Sequence, residues 1–477
     1  MNLQTGLSAD WTSAQWRIAL GLVWANRAAL FNTKSDERIF TVTMDRLLHA
    51  LDEARTTSTR TSFGRAIRRL IARYPTFSRA LVKAVTLADL EELSFAPAQQ
   101  VEQDRGDSRG RKHEVLDAKG PKAQIEPAPS KVHRFITLPV WYITDRKPTG
   151  NANPSTLYGT RASGTVRMGR ADVTIPEVHR KGTLERPKRI LWTIELREEP
   201  ARHFTLATVT EMDADHWLAE LRSAVVGGRG DETSRDILLF VHGYNTTWKQ
   251  SVLRAAQLAR DVDFFGQTIA YSWSSKGRPL AYPKDSEAVA DTRRLLAQSL
   301  SVVLRSAGAR RVHIVAHSMG NRAVIGALRS LAARPLPKSS AELRELVFAA
   351  PDVGTGEFVS FVDDYFNGLH SAFNRRSGNQ ARLTLYACEN DYALRLSRDF
   401  QEMSRAGDSA QKLVVVPPLE TIDVSRAIVS ADSHGYVVTN RDVLTDLFGA
   451  LRQRSPRDRP NLESREAEAG SYWAMRR

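Results

Sequence analysis

From Asp236 onward the chain alternates short apolar runs with longer amphipathic stretches. The runs are DILLFV, QTIAYS, RVHIVA, ELVFAA, RLTLYA and KLVVVP. Each has the length and β-branched content of a buried strand. Between most of them lie segments with helical spacing: TWKQSVLRAAQLARDVDFF, SEAVADTRRLLAQSLSVVLRSAG, NRAVIGALRSLAAR and TGEFVSFVDDYF. Strict β and α alternation predicts a mainly parallel sheet wrapped by helices. Upstream, RFITLPVWYITD, GTVRMGRADVTIP, RILWTIELRE and HFTLATVTEM alternate apolar with polar positions. They are expected to extend that sheet as antiparallel pairs. DADHWLAELRSAV should follow as a helix with Asp213 as its N-cap. There is no internal repeat.

The first 95 residues carry a different pattern. Phe40, Met44, Leu47, Leu48 and Leu51 recur at helical spacing, as do Phe63, Ile67, Leu70, Ile71 and Tyr74, with Pro75 as a stop. Residues 1–95 are expected to form a small helical module. Arg65, Arg68, Arg69 and Arg73 crowd one side of its second helix, a solvated face or a docking surface for an acidic partner. Residues 96–131 are rich in Pro, Gly and charge with few large apolar side chains, and read as a disordered linker. Residues 132–453 are the α/β unit, and 454–477 read as a polar, frayed tail.

Composition adds three points. Lys and Arg number 68 against 54 Asp and Glu, a formal charge of +14. Such an excess attracts acidic partners, yet no nucleic-acid-binding motif accompanies it, so an arginine-rich solvated surface is the plainer reading. The single cysteine, Cys388, excludes an internal disulfide framework or a CxxC metal site. The start, MNLQTGLSADW, lacks the basic and apolar regions of a signal peptide. The early run IALGLVWANRAAL is broken by Asn26 and Arg27 and falls short of the roughly 20 apolar residues of a membrane span. These features lead us to expect a soluble cytoplasmic protein.

One serine stands out. In VHIVAHSMGNRAV a buried strand runs into a cluster of small residues at Ser318, and a helical pattern begins at once. AHSMG matches the nucleophile elbow G-x-S-x-G with Ala316 in place of the first glycine and Gly320 as the second. The elbow needs small neighbours because the serine occupies a strained bend. The following helix aims its N-terminus at the reaction centre, where negative charge develops.

A lone serine is a poor nucleophile and needs a base oriented by an acid. In the elbow-bearing fold the chain order is Ser, acid, His. Only His370 and His434 follow Ser318. His370 closes a helical pattern far from a strand tip, whereas His434 lies in the loop ADSHGYVV after the last predicted strand, so His434 is the expected base. Asp391 follows RLTLYACEN and opens DYALRLSRDF, and is the expected acid. Asp352, after ELVFAA, is the alternative, and Glu389 comes third. The bland role for Asp391 is a helix N-cap. The oxyanion requires two backbone donors, expected from Met319 and from Tyr244 in the loop of LLFVHGYN, where Gly243 lets the amide turn inward. His242 is expected to be a structural ring that holds this loop, and His317 to be packing. Trp273, Tyr282 and Tyr436, with Tyr244, are candidates to line a substrate pocket.

FVHGYN, YSWSSKG, AHSMGNR, AAPDV, ENDYALRLS and SHGY appear in that order, after VWYITDRKP, YGTRASGTVRMG and VTIPEVHRKGTLERP. Together they resemble the bacterial α/β-hydrolase family known as domain of unknown function 900, over about residues 135–450. The resemblance implies the α/β-hydrolase fold and a triad that falls on Ser318, Asp391 and His434. It implies no substrate and does not reach residues 1–95.

The expected activity is therefore that of a serine esterase or lipase-like acyl hydrolase, acting on a small-molecule ester or acyl substrate without cofactor or metal. The alternative is a regulated effector or non-catalytic scaffold recruited to a protein partner by the helical module. The intact Ser, Asp and His argue against a mere scaffold.

Overall fold

The computed structural model describes residues 134–476, except 188, 191–193, 196–197, 278–280, 335, 374–379 and 429–432. The expected helical module at 1–95 and linker at 96–131 lie outside the described residues.

The fold is that of an α/β hydrolase. Strands β1 (Phe135–Pro148) and β2 (Tyr158–Pro176) form a long hairpin. Two-residue strands β3 (Arg189–Ile190) and β4 (Ile194–Glu195) pair apart from the main sheet. Strand β5 is Thr205–Met212, followed by helix α1, Ala214–Gly227. Asp213 caps α1 as the sequence suggests, its side chain accepting from the His216 amide.

The alternating unit then runs β6 (Ile237–Val241), α2 (Trp248–Asp261), β7 (Gln267–Ser272), α3 (Tyr282–Ser306), β8 (Arg311–His317), α4 (Gly320–Ala332), β9 (Glu342–Ala349), α5 (Thr355–Phe366), β10 (Arg382–Ala387), α6 (Tyr392–Gln401) and β11 (Glu420–Asp423). The chain closes with α7 (Tyr436–Thr439), α8 (Arg441–Leu451), β12 (Leu462–Ala467) and β13 (Gly470–Met475).

The main sheet has eleven strands in the order β12-β13-β11-β10-β9-β8-β6-β7-β1-β2-β5. Pairing is parallel from β13 through β1, and antiparallel for β1–β2, β2–β5 and β12–β13. Strand β1 is thus antiparallel to β2 but lies parallel to β7 and joins the central set.

Alternation along β8 shows how the core divides. Val312, Ile314 and Ala316 face the layer of α1, α3, α4 and α5, while Val315 faces the layer of α2, α7 and α8. A central strand buried on both faces must be apolar throughout, as ILLFV in β6 is. Each large aliphatic side chain so buried contributes about 1.5–3 kcal/mol.

Two expectations fail. KLVVVP forms no strand: Val414 and Val415 are buried outside any ladder, Pro417 and Pro418 lack the N–H a ladder needs, and β11 begins just beyond them. The tail is not frayed: β12 and β13 form a hairpin that extends the sheet through β11. Only Leu462, Ala474 and Met475 are buried along it, so its apolar pattern is too sparse to read in sequence. Among the described residues no helix is long and apolar enough to cross a membrane.

Candidate active site

Parallel strands deliver their following loops to one edge of the sheet, and in open α/β sheets ligands bind at that carboxyl edge. Tyr244 follows β6, Ser318 follows β8, Asp352 follows β9, Asp391 follows β10 and His434 follows β11. The topology therefore gathers residues spread over nearly 200 positions of sequence.

Ser318 has φ +52°, the left-handed region a non-glycine residue rarely adopts. Its neighbours hold it there. The Ser318 amide donates to the Ala349 carbonyl at 2.9 Å, and its own carbonyl accepts from Asn321 Nδ2 at 2.9 Å and from the Asp352 amide at 3.2 Å. The requirement for small residues is explicit. A Cβ on Gly320 would stand 2.5 Å from the His242 carbonyl oxygen, and one on Gly243 would stand 2.7 Å from Ser318 Cβ. Ala316, the departure from the pattern, is fully buried in the core.

His434 lies in a single turn, Ser433–Gly435. Its Nδ1 donates to Asp391, 2.9 Å from Oδ2 and 3.0 Å from Oδ1. A carboxylate accepts only, so Nδ1 carries the proton and Nε2 is the nitrogen a hydroxyl can use. Burial lowers the imidazole's affinity for a proton. The Asp391 charge and hydrogen bond outweigh it, and the pKa rests above its ordinary value. Asp391 is fully buried and also caps α6, accepting from the Leu394 amide at 3.1 Å. The cap and the histidine contact are made by one side chain.

Asp352, the alternative acid, has other partners. Arg322 Nη2 lies 3.0 Å and Arg405 Nε 3.4 Å from its carboxylate. Tyr282 donates to it at 2.9 Å, and Ser397 Oγ also donates. Burial pushes this carboxyl up, but the two guanidinium groups and two hydroxyls pull it below the usual range. Glu389 makes no contact with His434 among those described; its amide donates to Ser425 Oγ at 2.9 Å. His370 is remote, with Nδ1 donating to the Tyr365 carbonyl at 2.9 Å.

Of the two amides expected to bind an oxyanion, one belongs to Met319, next to Ser318 in the chain, and the other to Tyr244, next to Gly243, whose added Cβ would stand 2.7 Å from Ser318 Cβ. Met319 precedes α4, where an amide has no carbonyl one turn earlier to bond. Tyr244 belongs to a loop pinned from behind. Arg146 Nη2 donates to the Thr246 carbonyl at 2.7 Å, the Asn245 amide to Asp285 at 3.2 Å, and Trp273 Nε1 to the His242 carbonyl at 2.7 Å. His242 is the structural ring anticipated. It stacks on Trp273 at 5.0 Å, its Nδ1 donates to the Gly243 carbonyl, and burial foremost, with Arg146, pushes its pKa down to about 3.

Two pocket candidates are corrected. Trp273 is fully buried behind the loop, and Tyr436 is 1% exposed with its hydroxyl on the Tyr386 carbonyl at 2.8 Å. Both are core. Tyr282 and Tyr244 are half-buried and meet edge to face at 5.5 Å. Sequence reasoning missed Arg322, Arg405, Arg146 and Asp285, although Arg322 sits inside the quoted AHSMGNR. Among the described residues no three His, Cys, Asp or Glu side chains are grouped to hold a metal ion.

Residues 222–420 match the family described as alpha/beta hydrolase of unknown function (DUF900), a shorter span than the 135–450 of the resemblance. No curated protein is similar to the chain. Two solved structures are similar to it at low identity. One is a mutant of the esterase rPPE, 14% identical, covering 60% of this chain and 76% of its own, with a TM-score of 0.24. The other is a thermostable esterase from Pseudomonas putida ECU1011, 12% identical, covering 67% and 81%, also at 0.24. Superposition this shallow adds nothing to the argument from the site.

Proposed function

We propose, from the α/β-hydrolase match over residues 222–420 and the residues gathered at the sheet edge, that the chain is a serine hydrolase cleaving an ester or related acyl bond. One observation carries the reading: His434 Nδ1 lies within 3.0 Å of both Asp391 oxygens, while Ser318 is held in the left-handed bend of an elbow.

The chemistry follows from these groups. Ser318 Oγ adds to the substrate carbonyl carbon as its proton passes to His434 Nε2. The carbonyl oxygen becomes an oxyanion facing the Met319 and Tyr244 amides. The tetrahedral adduct collapses, the bond to the leaving group breaks, and that group leaves with the proton from His434. Water then attacks the acyl-enzyme with His434 again as base, releasing the acid and restoring Ser318. Asp391 keeps Nδ1 protonated and stabilises the imidazolium. Tyr244 and Tyr282 flank the approach to Ser318.

The test is labelling with a fluorophosphonate probe. Wild type should label at one site, with labelling abolished in Ser318→Ala and His434→Ala. A folded wild type that does not label would overturn the reading.

A further inference from the structure

Every element of this site is held from behind except, at first sight, the base. His434 sits in a turn of three residues. Its ring is tethered at one end by Asp391. That bond fixes Nδ1, but the position of Nε2 also depends on the backbone that carries the ring.

The second tether comes from the residue beside the nucleophile. His317 Nε2 lies 2.8 Å from the His434 backbone carbonyl. A carbonyl only accepts, so Nε2 of His317 carries the proton and Nδ1 does not. The two imidazoles pack with centroids 4.8 Å apart, tilted by 48°. On its other side, His317 Nδ1 lies 3.0 Å from where a Cβ on Gly243 would stand. One ring therefore touches the oxyanion loop and the base loop, and its backbone is bonded directly to Ser318.

We propose that His317 is a positioning residue for the hydrolytic step, fixing His434 by a hydrogen bond to its backbone so that Nε2 faces Ser318. The inference rests on the serine-hydrolase reading and extends it beyond the triad.

The surroundings suit that task. His317 must stay neutral, because a second cation 4.8 Å from His434 would oppose the imidazolium formed in the reaction. Burial chiefly, and then the His434 charge, pushes its pKa down to about 3. The charged groups that act on it are His434, Asp391 and Arg254; Asp391 opposes the shift without overcoming it. Asparagine or serine at position 317 could not span the distance. Glutamine can, since its amide nitrogen reaches about where the imidazole Nε2 does.

The experiment compares wild type, His317→Gln and His317→Leu, each checked for folding by thermal denaturation. Two readouts are taken. The first is the rate of fluorophosphonate labelling at Ser318 across pH. The second is the low-field proton resonance of the His434 Nδ1–H held by Asp391. His317→Leu should slow labelling by about 10- to 100-fold, the effect of misplacing a reacting group by about 1 Å. It should also broaden or shift the resonance. His317→Gln should recover most of the rate and a wild-type resonance. Wild-type behaviour of a folded His317→Leu in both readouts would overturn the inference and leave the hydrolase reading standing. If wild type fails to label but its resonance is lost in His317→Leu and kept in His317→Gln, the tether stands and the hydrolase reading falls.

Discussion

Two loops of this molecule look alike in sequence and behave as opposites. AAPDV and ACEND each close a central parallel strand, and each carries a buried aspartate at the same edge of the sheet. Asp352 is surrounded by fixed donors: Arg322, Arg405, Tyr282 and Ser397. Asp391 is hydrogen-bonded to His434 and to the amide it caps, with no guanidinium among those bonds. A carboxylate already engaged by guanidinium groups and hydroxyls is not set against an imidazole. One set against a lone imidazole controls that ring's tautomer and its affinity for a proton. Adjacent strands have thus placed two buried aspartates with different partners at the sheet edge that also carries Ser318.

The largest expected effect separates them by activity. Asp391→Asn preserves shape but removes the charge and lets the wrong tautomer of His434 form. In a classical triad the equivalent change lowers turnover by about 10⁴, and a loss of about 10³–10⁴ in labelling rate is expected here. The pH profile sharpens the point. A base works when neutral, and Asp391 raises the His434 pKa. The acid limb of the wild-type profile should therefore lie above the ordinary imidazole value of about 6.5 and move down in the variant. An equal loss in Asp352→Asn, with none in Asp391→Asn, would reverse the assignment.

Asp352→Asn should instead act on stability. Removing one member of a buried ion cluster leaves the cations uncompensated and costs about 3–5 kcal/mol, measurable by urea unfolding. The folded Asp352 carboxyl lies below the usual range, so its contribution is present above the unfolded value of about 3.9. It is lost as pH falls through the folded value. The wild-type advantage over Asp352→Asn should therefore shrink below about pH 4. The folded variant should label at nearly the wild-type rate.

The contrast also shows what was legible beforehand. Elbow, chain order and strand tips are local, and they sufficed to single out Ser318, Asp391 and His434, which the topology does bring to strand ends in that order. The choice between Asp352 and Asp391 depends on which side chains cross over from other strands. Arg322 reaches Asp352 from α4, and Arg405 from the stretch after α6, and no periodicity encodes that meeting. The hairpin at 462–475 escaped for a different reason: an edge with few buried side chains is specified by its pairing to β11 rather than by an apolar face. His317 was readable as packing because alternation along β8 states only that a position is inside, not what its ring atoms touch.

Side-chain direction also misled the reading of the aromatic residues, and here the expected effect is smallest. Tyr436 follows the base by two positions and Trp273 follows a strand tip, so both look like pocket walls in sequence. Tyr436 instead points into the core, with its hydroxyl on the Tyr386 carbonyl. That carbonyl also accepts from the Ala350 amide at 3.1 Å, so losing the hydroxyl does not orphan it. Tyr436→Phe should cost only the net value of one hydrogen bond, about 0.5–1.5 kcal/mol, and leave kcat and KM for a model ester unchanged. Tyr282→Phe loses a hydroxyl of a half-buried side chain bonded to Asp352 and Ser397, and, if the proposed approach to Ser318 holds, should change KM. A KM change in Tyr436→Phe with none in Tyr282→Phe would mean that the substrate lies on the far side of the base, and that the approach runs past α7 rather than past α3.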